Sequence, residues 1–340
     1  MKYDNGVSRD GGRMRYIDGA KGFALICVML GHTAGGVLVS YIDNFLLPVF
    51  WVAAGFTSRP DFSLRRRFKS LVVPYAVMSL VCLLFTAVRS HFSIEWPSIA
   101  GIFYSRYCLF PFDESGPHFV MMNLDNSVLW FLTSLFTAYC LFRVILCCGD
   151  ALRQGMACVV SVACGFIYPS LPILLPWSMD TAFFIAPMMW CGHLLRRYGI
   201  LERYGWQVLL VTVPVYALLN YFSGPTNYSV REMGWHYPAS FGCAVAGAVA
   251  MLVIFRYLER TYMCRAFAFV NAKALYVFGL QLIFISVAAY FCGYLRISMW
   301  PTVACQILLA TAGGYAAGVI AGRLVQNSEA KWKRILGKSD

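Results

Sequence analysis

A single histidine, His32, stands in the otherwise apolar run RYIDGAKGFALICVMLGHT at residues 15–33. An ionisable side chain is costly to hold inside a bilayer, and one that is kept there marks a functional position by default. A neutral imidazole accepts a hydroxyl proton near physiological pH, and the same ring also serves as a hydrogen-bonded tie between helices. From this residue alone the two roles weigh equally. Lys21 lies eleven residues earlier, roughly 16 Å along a helix axis and about half the hydrocarbon thickness, which puts His32 near mid-membrane. Asp18 is one turn before Lys21, so a helix-start ion pair is the plain reading of these two.

Other side chains carry weaker signals. Arg59, Arg65, Arg66, Arg67 and Lys69 form a basic cluster suited to phosphate, since a planar guanidinium grips it bidentately. For any one of them, membrane orientation is the commoner cause. Trp130 opens an apolar segment, where an interfacial anchor is the default. Asp180 falls at the start of another, where a first-turn carboxylate meets the helix dipole. Gln281 sits in a late apolar run and can orient a substrate or glue helices together. His193, beside Arg196 and Arg197, reads as a solvated histidine. No zinc spacing, P-loop or dinucleotide fingerprint is present, so no metal is expected.

The elements that position these residues are membrane helices. The chain is 59% hydrophobic and 13% charged, with a mean hydropathy of +0.63, about half the charge of an ordinary soluble domain. Ten apolar segments are expected, at about 22–40, 41–58, 70–88, 127–148, 156–175, 178–195, 204–222, 238–255, 274–292 and 300–322, each long enough to cross. With the N-terminus inside, all of the 28 basic residues except Arg89, Arg106, Arg231 and Arg296 fall on the cytoplasmic side, as the positive-inside rule requires of an even number of spans. Both termini are thus expected in the cytosol. The fold class is an all-α polytopic bundle, one domain over 1–340, with a cytoplasmic segment 1–21 and tail 323–340. The net charge of +12 is then a matter of topology and lipid contact rather than nucleic acid binding. The first run lacks a cleavage site, so its helix is expected to be retained.

Thirteen cysteines, mostly within spans, read as packing residues. The external loops 89–126 and 223–237 carry Trp96, Tyr104, Tyr107 and Trp235, for which an interfacial belt is favoured over a sugar platform. Gly314, Gly318 and Gly322 make a small-residue face for packing within the bundle or between protomers; the oligomeric state is open.

The pattern Asp18-x-x-Lys21-Gly22 followed by His32 resembles the first-helix signature of the acyltransferase-3 family of membrane O-acyltransferases, especially its fucose-4-O-acetylase-like branch. FLLPVFWVAAGF at 45–56, RRRFKSLVVPY at 65–75, LWFL at 129–132, MDTAFFIAPMMWCGHLLRR at 179–197 and VNAKALYVFGLQ at 270–281 are similar to further family segments, in order, so the resemblance covers roughly 15–281. Three positions depart from it: Leu46 and Gln281 stand where histidines are common, and Ala54 stands where serine precedes the glycine.

This resemblance implies acyl transfer from acetyl-CoA to a hydroxyl of a sugar or glycan, lipid-linked or not, at a bacterial inner membrane. It assigns His32 as general base or acyl relay, acting directly or through an acyl-imidazole, with Lys21 and Asp18 at the same site. Arg59, Arg66, Arg67 and Lys69 would meet the donor phosphates. Trp130, Asp180 and Gln281 would face the acceptor. A secondary transporter of a small polar solute remains the alternative class, although no matched pair of broken helices supports it.

Overall fold

The structure is a computed structural model, and it describes residues 9–10, 13–39, 41–111, 118–122, 124–167 and 172–335. Thirteen α-helices account for nearly all of it: α1 Arg15–Gly31, α2 Asp43–Thr57, α3 Leu64–Arg89, α4 Trp96–Tyr104, α5 Trp130–Cys147, α6 Ala151–Ile167, α7 Met179–Arg197, α8 Ile200–Arg203, α9 Gly205–Ser223, α10 Tyr237–Tyr257, α11 Tyr262–Asn271, α12 Ala274–Tyr294 and α13 Met299–Ile335. Two short antiparallel pairs complete the fold, β1 Arg9–Asp10 with β2 Arg13–Met14, and β3 Thr226–Asn227 with β4 Glu232–Met233.

Each of the ten expected apolar segments overlaps one helix, and among the described residues six helices are long and apolar enough to cross a membrane: α3, the α5 segment, α9, α10, α12 and α13. The protein is an all-α polytopic membrane protein. Leu80 and Leu84 on α3, Leu210 and Leu218 on α9, and Leu308 and Ile320 on α13 are exposed, as side chains facing lipid must be.

Boundaries shift for local reasons. The first helix covers Arg15–Gly31 rather than 22–40. Its early turns are helical because α11 covers them: a Cβ at Gly22 would collide with the Phe267 carbonyl, and one at Gly19 would stand 2.7 Å from Cys264 Sγ. It stops where the sequence turns to His-Thr-Ala-Gly-Gly, with His32 as C-cap, its N–H donating to Met29 O and Leu30 O. His32 therefore ends α1 instead of occupying the middle of a span. The fifth expected segment, 156–175, begins earlier, at Ala151, where Asp150 caps the helix by accepting from Arg153 N at 2.9 Å. Residues 168–171 of that segment lie outside the described residues. The last helix runs through the expected tail to Ile335.

Glycines set the close helix contacts. A Cβ at Gly55 of α2 would collide with the Met189 carbonyl of α7, and one at Gly192 of α7 with the Val52 carbonyl of α2, so these two helices touch backbone to backbone. Gly314 of α13 lies against the backbone of Val277 on α12, and Gly318 against Tyr276 and Lys273. The small-residue face thus packs within the chain.

The two ends of the bundle differ. At the basic end, arginines tie helix turns together: Arg143 donates to Pro60 O, Arg196 to Phe56 O at 3.1 Å, and Arg256 to Leu201 O. At the opposite end lie the loops around Arg106, Asp180 and Arg231. All thirteen cysteines are free, and Cys108 donates to Phe110 O at 2.9 Å.

Candidate functional site

His32 opens into a cavity of about 530 Å3 at the end of the bundle away from the arginine turns, a size typical of small-molecule sites. Val28, Gly31 and His32 come from α1, and Asp43 and Leu47 from the facing start of α2. Ser127 and Val128 enter from the 3-10 turn Leu124–Leu129 that leads into α5, Trp130 from the first residue of α5, Phe278 from α12, and Thr226 to Ser229 from β3 and the turn after it. Tyr107 closes the rim. His32 and Asp43 are exposed to this space, whereas Val128, Trp130, Tyr228 and Phe278 form buried walls. The lining thus combines an imidazole, a carboxylate, hydroxyls, an amide and three aromatic rings of Tyr and Trp, a mixture that hydrogen-bonds hydroxyls and covers apolar ring faces.

The wall formed by residues 226–229 is held by a buried asparagine. Asn44, in the first turn of α2, donates to Asn220 Oδ1 at 2.8 Å and to Gly224 O at 3.2 Å, and accepts from Thr226 Oγ1 at 2.8 Å. Its carbonyl accepts from the Tyr228 hydroxyl at 3.3 Å, and the Tyr228 ring meets Trp51 edge to face at 4.9 Å. Each of these polar groups is satisfied inside the protein, which fixes the segment rather than leaving it a mobile loop.

Behind the same wall is a buried ion cluster. Arg106 and Asp180 have fully buried side chains and are paired, and Arg231 Nη1 lies 3.6 Å from the other carboxylate oxygen. Arg106 also donates to Leu175 O at 3.0 Å and to Ser229 O at 2.6 Å. Asp180 accepts from the backbone N–H of Leu175 and Thr181 at 3.2 and 2.8 Å. Such a pair survives burial only with its remaining hydrogen-bonding capacity used. The cluster clasps three loops, and the Asp180 carboxylate faces its arginines instead of the cavity.

The remaining expected site residues separate into groups. Trp130 shares the cavity with His32. Lys21 lies lower on α1, its Nζ 5.9 Å from the Phe50 ring centroid. Asp18 accepts from Asn271 Nδ2 at 2.7 Å at the basic end, so it anchors α11 to α1. Gln281 is fully buried on α12, one turn from Phe278, and neither its Oε1 nor its Nε2 has a hydrogen-bond partner. Arg59 lines a second cavity, of about 570 Å3 at the basic end, together with Ser58, Gln154, His193, Arg196 and Arg197. Arg67 stands behind it, donating to Ser58 Oγ at 3.2 Å and stacking 4.4 Å from the Tyr139 ring. Arg66 and Lys69 are exposed on α3 and outside that cavity. His193 is buried in the cavity wall, its ring against Phe142, and so is not the solvated histidine its position suggested.

Asp43 and Tyr228, which line the His32 cavity, and Asn44, which holds its wall, are candidate-site residues that the sequence pattern did not single out. An acid followed by an amide just ahead of the apolar run FLLPVF was the available signal for Asp43 and Asn44. Tyr228 had none, because its place depends on contacts between distant segments. Among the described residues no three metal-ligating side chains cluster.

A comparison with curated proteins returned no match. The family model for the acyltransferase 3 group, described as an acyltransferase domain, matches residues 14–319, nearly the whole described chain including both cavities. With that match and its polytopic helical fold, the chain belongs to the acyltransferase 3 family and is a membrane O-acyltransferase.

Proposed function

We propose that this enzyme moves an acetyl group from acetyl-CoA to a hydroxyl of a sugar or cell-surface glycan held in the His32 cavity. The observation that carries the reading is the lining itself. An imidazole opens into a 530 Å3 space walled by Trp130, Tyr107 and Tyr228 and edged by Asp43, Ser127 and Asn227. Sugar rings offer apolar faces and rims of hydroxyls, and aromatic planes with short polar side chains are matched to both. The fucose-4-O-acetylase-like branch is the part of the family whose motifs this chain resembles most.

The donor supplies the electrophilic thioester carbonyl. His32, as neutral imidazole, takes the proton from the acceptor hydroxyl as its oxygen becomes nucleophilic, and returns a proton to the departing thiol. Trp130 and Tyr228 hold the acceptor ring, and Asp43 accepts from a neighbouring hydroxyl to fix which oxygen faces the imidazole. Lys21, between the basic end and His32, steers the anionic donor, with Asp18 keeping the start of α1 in place. Arg59 meets the donor phosphates and Arg67 holds Ser58 for it. Gln281 orients a substrate through its two unpartnered amide atoms. The basic end faces the cytosol of a bacterium, where the donor is made, so acyl groups cross the inner membrane's thickness within this chain.

The test is transfer of labelled acetyl from acetyl-CoA in proteoliposomes offered a panel of glycans and lipid-linked sugars. Label in an alkali-labile ester on the acceptor supports the reading. Label that stays on the donor or appears only as free acetate with every acceptor rejects it.

A further inference from the structure

The chain reversal between α12 and α13 brings two thiols together. Cys292 lies in the last turn of α12 and Cys305 in the second turn of α13, and their side chains are hydrogen-bonded to each other. The register of the hairpin leads to the same pairing. A Cβ at Gly313 of α13 would meet the Phe284 ring of α12, and eight residues further along each antiparallel helix, about 12 Å, stand Cys305 and Cys292. Between them the chain turns tightly: Ile297 N donates to Cys292 O at 2.9 Å and Arg296 N to Gly293 O at 3.1 Å. A disulfide joins Cβ atoms about 3.8 Å apart. Thiols already in contact, on helices drawn together at Gly313 and Gly314, approach that geometry with little movement of the backbone.

The surroundings suit oxidation. Cys292 is buried but Cys305 is exposed, so packing in the bundle does not account for the second thiol. Gly35, three residues beyond His32, packs on Val303, which places this turn at the His32 end of the bundle, away from the arginine turns. With the basic end in the cytosol, the turn faces the outer compartment, and compartments on that side of a membrane are the ones in which disulfides form and persist. Depth agrees. Tyr290, Tyr294 and Trp300 are exposed around the turn, as residues of an interfacial belt are. Cys292 falls between the two tyrosines along α12, so the pair lies at headgroup level, where water and a polar oxidant reach it.

We propose that Cys292 and Cys305 are a modification site: they form a disulfide at the outer face that staples α12 to α13 beside the loop after His32. The oxidant is a disulfide-bearing thiol oxidoreductase of the outer compartment. The exposed Cys305, as thiolate, attacks one sulfur of the oxidant's disulfide, and the other sulfur leaves and takes up a proton. Cys292, as thiolate, then attacks the Cys305 sulfur of the mixed disulfide and expels the oxidant's remaining sulfur. Two cysteine thiols are oxidised, one disulfide is reduced to two thiols, and the two cysteine protons end on those thiols. The staple closes a short loop, restricts the unfolded chain, and keeps Val303 against Gly35. It needs only that the basic end face the cytosol, and it stands whatever group the enzyme transfers.

The full chain is expressed in bacterial membranes, quenched in acid, denatured and treated with N-ethylmaleimide before and after reduction. Mass spectrometry is expected to find all but two of the thirteen cysteines alkylated before reduction, and all of them after it. Trypsin cleaves after Arg296, between the two cysteines, so the flanking fragments stay joined only through sulfur. That joined pair should be present in wild type and in Cys147→Ser, and absent from Cys292→Ser and Cys305→Ser. Cys305 is exposed, so Cys305→Ser keeps the fold and serves as the decisive variant. Reductant should lower the Tm of wild type in detergent by at least ~2 °C and leave that of Cys305→Ser unmoved. Full alkylation of wild type before reduction overturns the site. So does a pair of protected cysteines that persists in Cys305→Ser, a link that joins two chains, or an equal effect of reductant on the Tm of wild type and Cys305→Ser.

Discussion

Lys21 and His32 lie on one face of α1, three turns apart. Eleven residues at about 100° each come within about 20° of three full turns, and both residues look towards α2: Lys21 over the Phe50 ring, His32 into the cavity it shares with Asp43 and Leu47. Phe50 meets Phe131 at 5.7 Å between centroids and Phe131 meets Phe278 at 5.1 Å, and Phe278 is also in the wall of the His32 cavity. An aromatic layer therefore spans from the Lys21 level to the floor of the histidine cavity. A positive charge below it and a proton acceptor above it suit a donor arriving from the basic end. Lys21→Met is expected to raise KM for the donor ~10-fold or more, with Lys21→Arg restoring part of the loss; steady-state kinetics with the donor varied checks this.

Acidification should lower the rate. A protonated imidazole cannot accept a hydroxyl proton, so transfer driven by His32 falls as the pH drops through the titration of that ring. A variant lacking His32 has no such acidic limb in its residual rate. The pH dependence of ester formation in wild type and in His32→Gln, measured at saturating donor, reads this directly.

The buried clasp of Arg106, Asp180 and Arg231 shapes the cavity from outside it. Asp180→Asn leaves two buried guanidinium groups without their counter-charge, and breaking one partner of a buried pair costs about 3 kcal/mol or more. Thermal unfolding in detergent is expected to shift down clearly, and the acceptor KM to rise, because Arg106 and Thr181 hold the backbone carbonyls of Ser229 and Tyr228. Replacing Arg106 and Asp180 together by leucine should recover more stability than Asp180→Asn alone leaves.

Gln281→Leu separates a structural amide from a substrate contact. Its amide atoms are buried and unpartnered, so an apolar side chain of similar size should change stability by less than about 1 kcal/mol or raise it. Transfer is expected to fall about 10-fold nonetheless. Unfolding and turnover measured on the same preparation distinguish the two.

The α2–α7 contact admits no side chain at its glycines. Gly55→Val or Gly192→Val would drive a branched side chain into the Met189 or Val52 carbonyl, and separating two helices that touch through their backbones costs on the order of 3 kcal/mol. Loss of the folded fraction in detergent, seen as aggregation on size-exclusion chromatography, is the expected result.

Much of this fold was legible because membrane helices announce themselves: ten long apolar runs punctuated by basic turns leave few alternatives. Helix ends were less legible. Nothing in the run before Gly22 says that α11 will cover it, and hydropathy alone therefore starts the first helix too late; counting up the helix from Lys21 puts His32 near mid-membrane, and the spacing does not show that the helix ends there. Within the site, His32 and Trp130 were visible because a histidine or tryptophan in an apolar segment stands out locally. Asp43 and Tyr228 were not, since their roles come from packing between α2 and the segment after α9. Asp180 was visible as a first-turn acid, but its arginines are 74 residues before and 51 after it in the chain, a partnership that no local pattern carries. His193 shows the same limit: a histidine beside two arginines reads as surface until α2 and α5 are seen to close over it.

The central claim is that His32 performs acyl transfer to a glycan hydroxyl. It is tested most directly by measuring O-acetyl esters on surface glycans, by mass and by ester-specific NMR signals, in cells carrying the wild-type chain, His32→Ala or no chain, with equal membrane insertion of the two proteins. An ester present with wild type and reduced at least ~100-fold in His32→Ala, the size of a general-base contribution, is the predicted result. Equal acetylation in all three strains, or wild-type acetylation in His32→Ala, would contradict it.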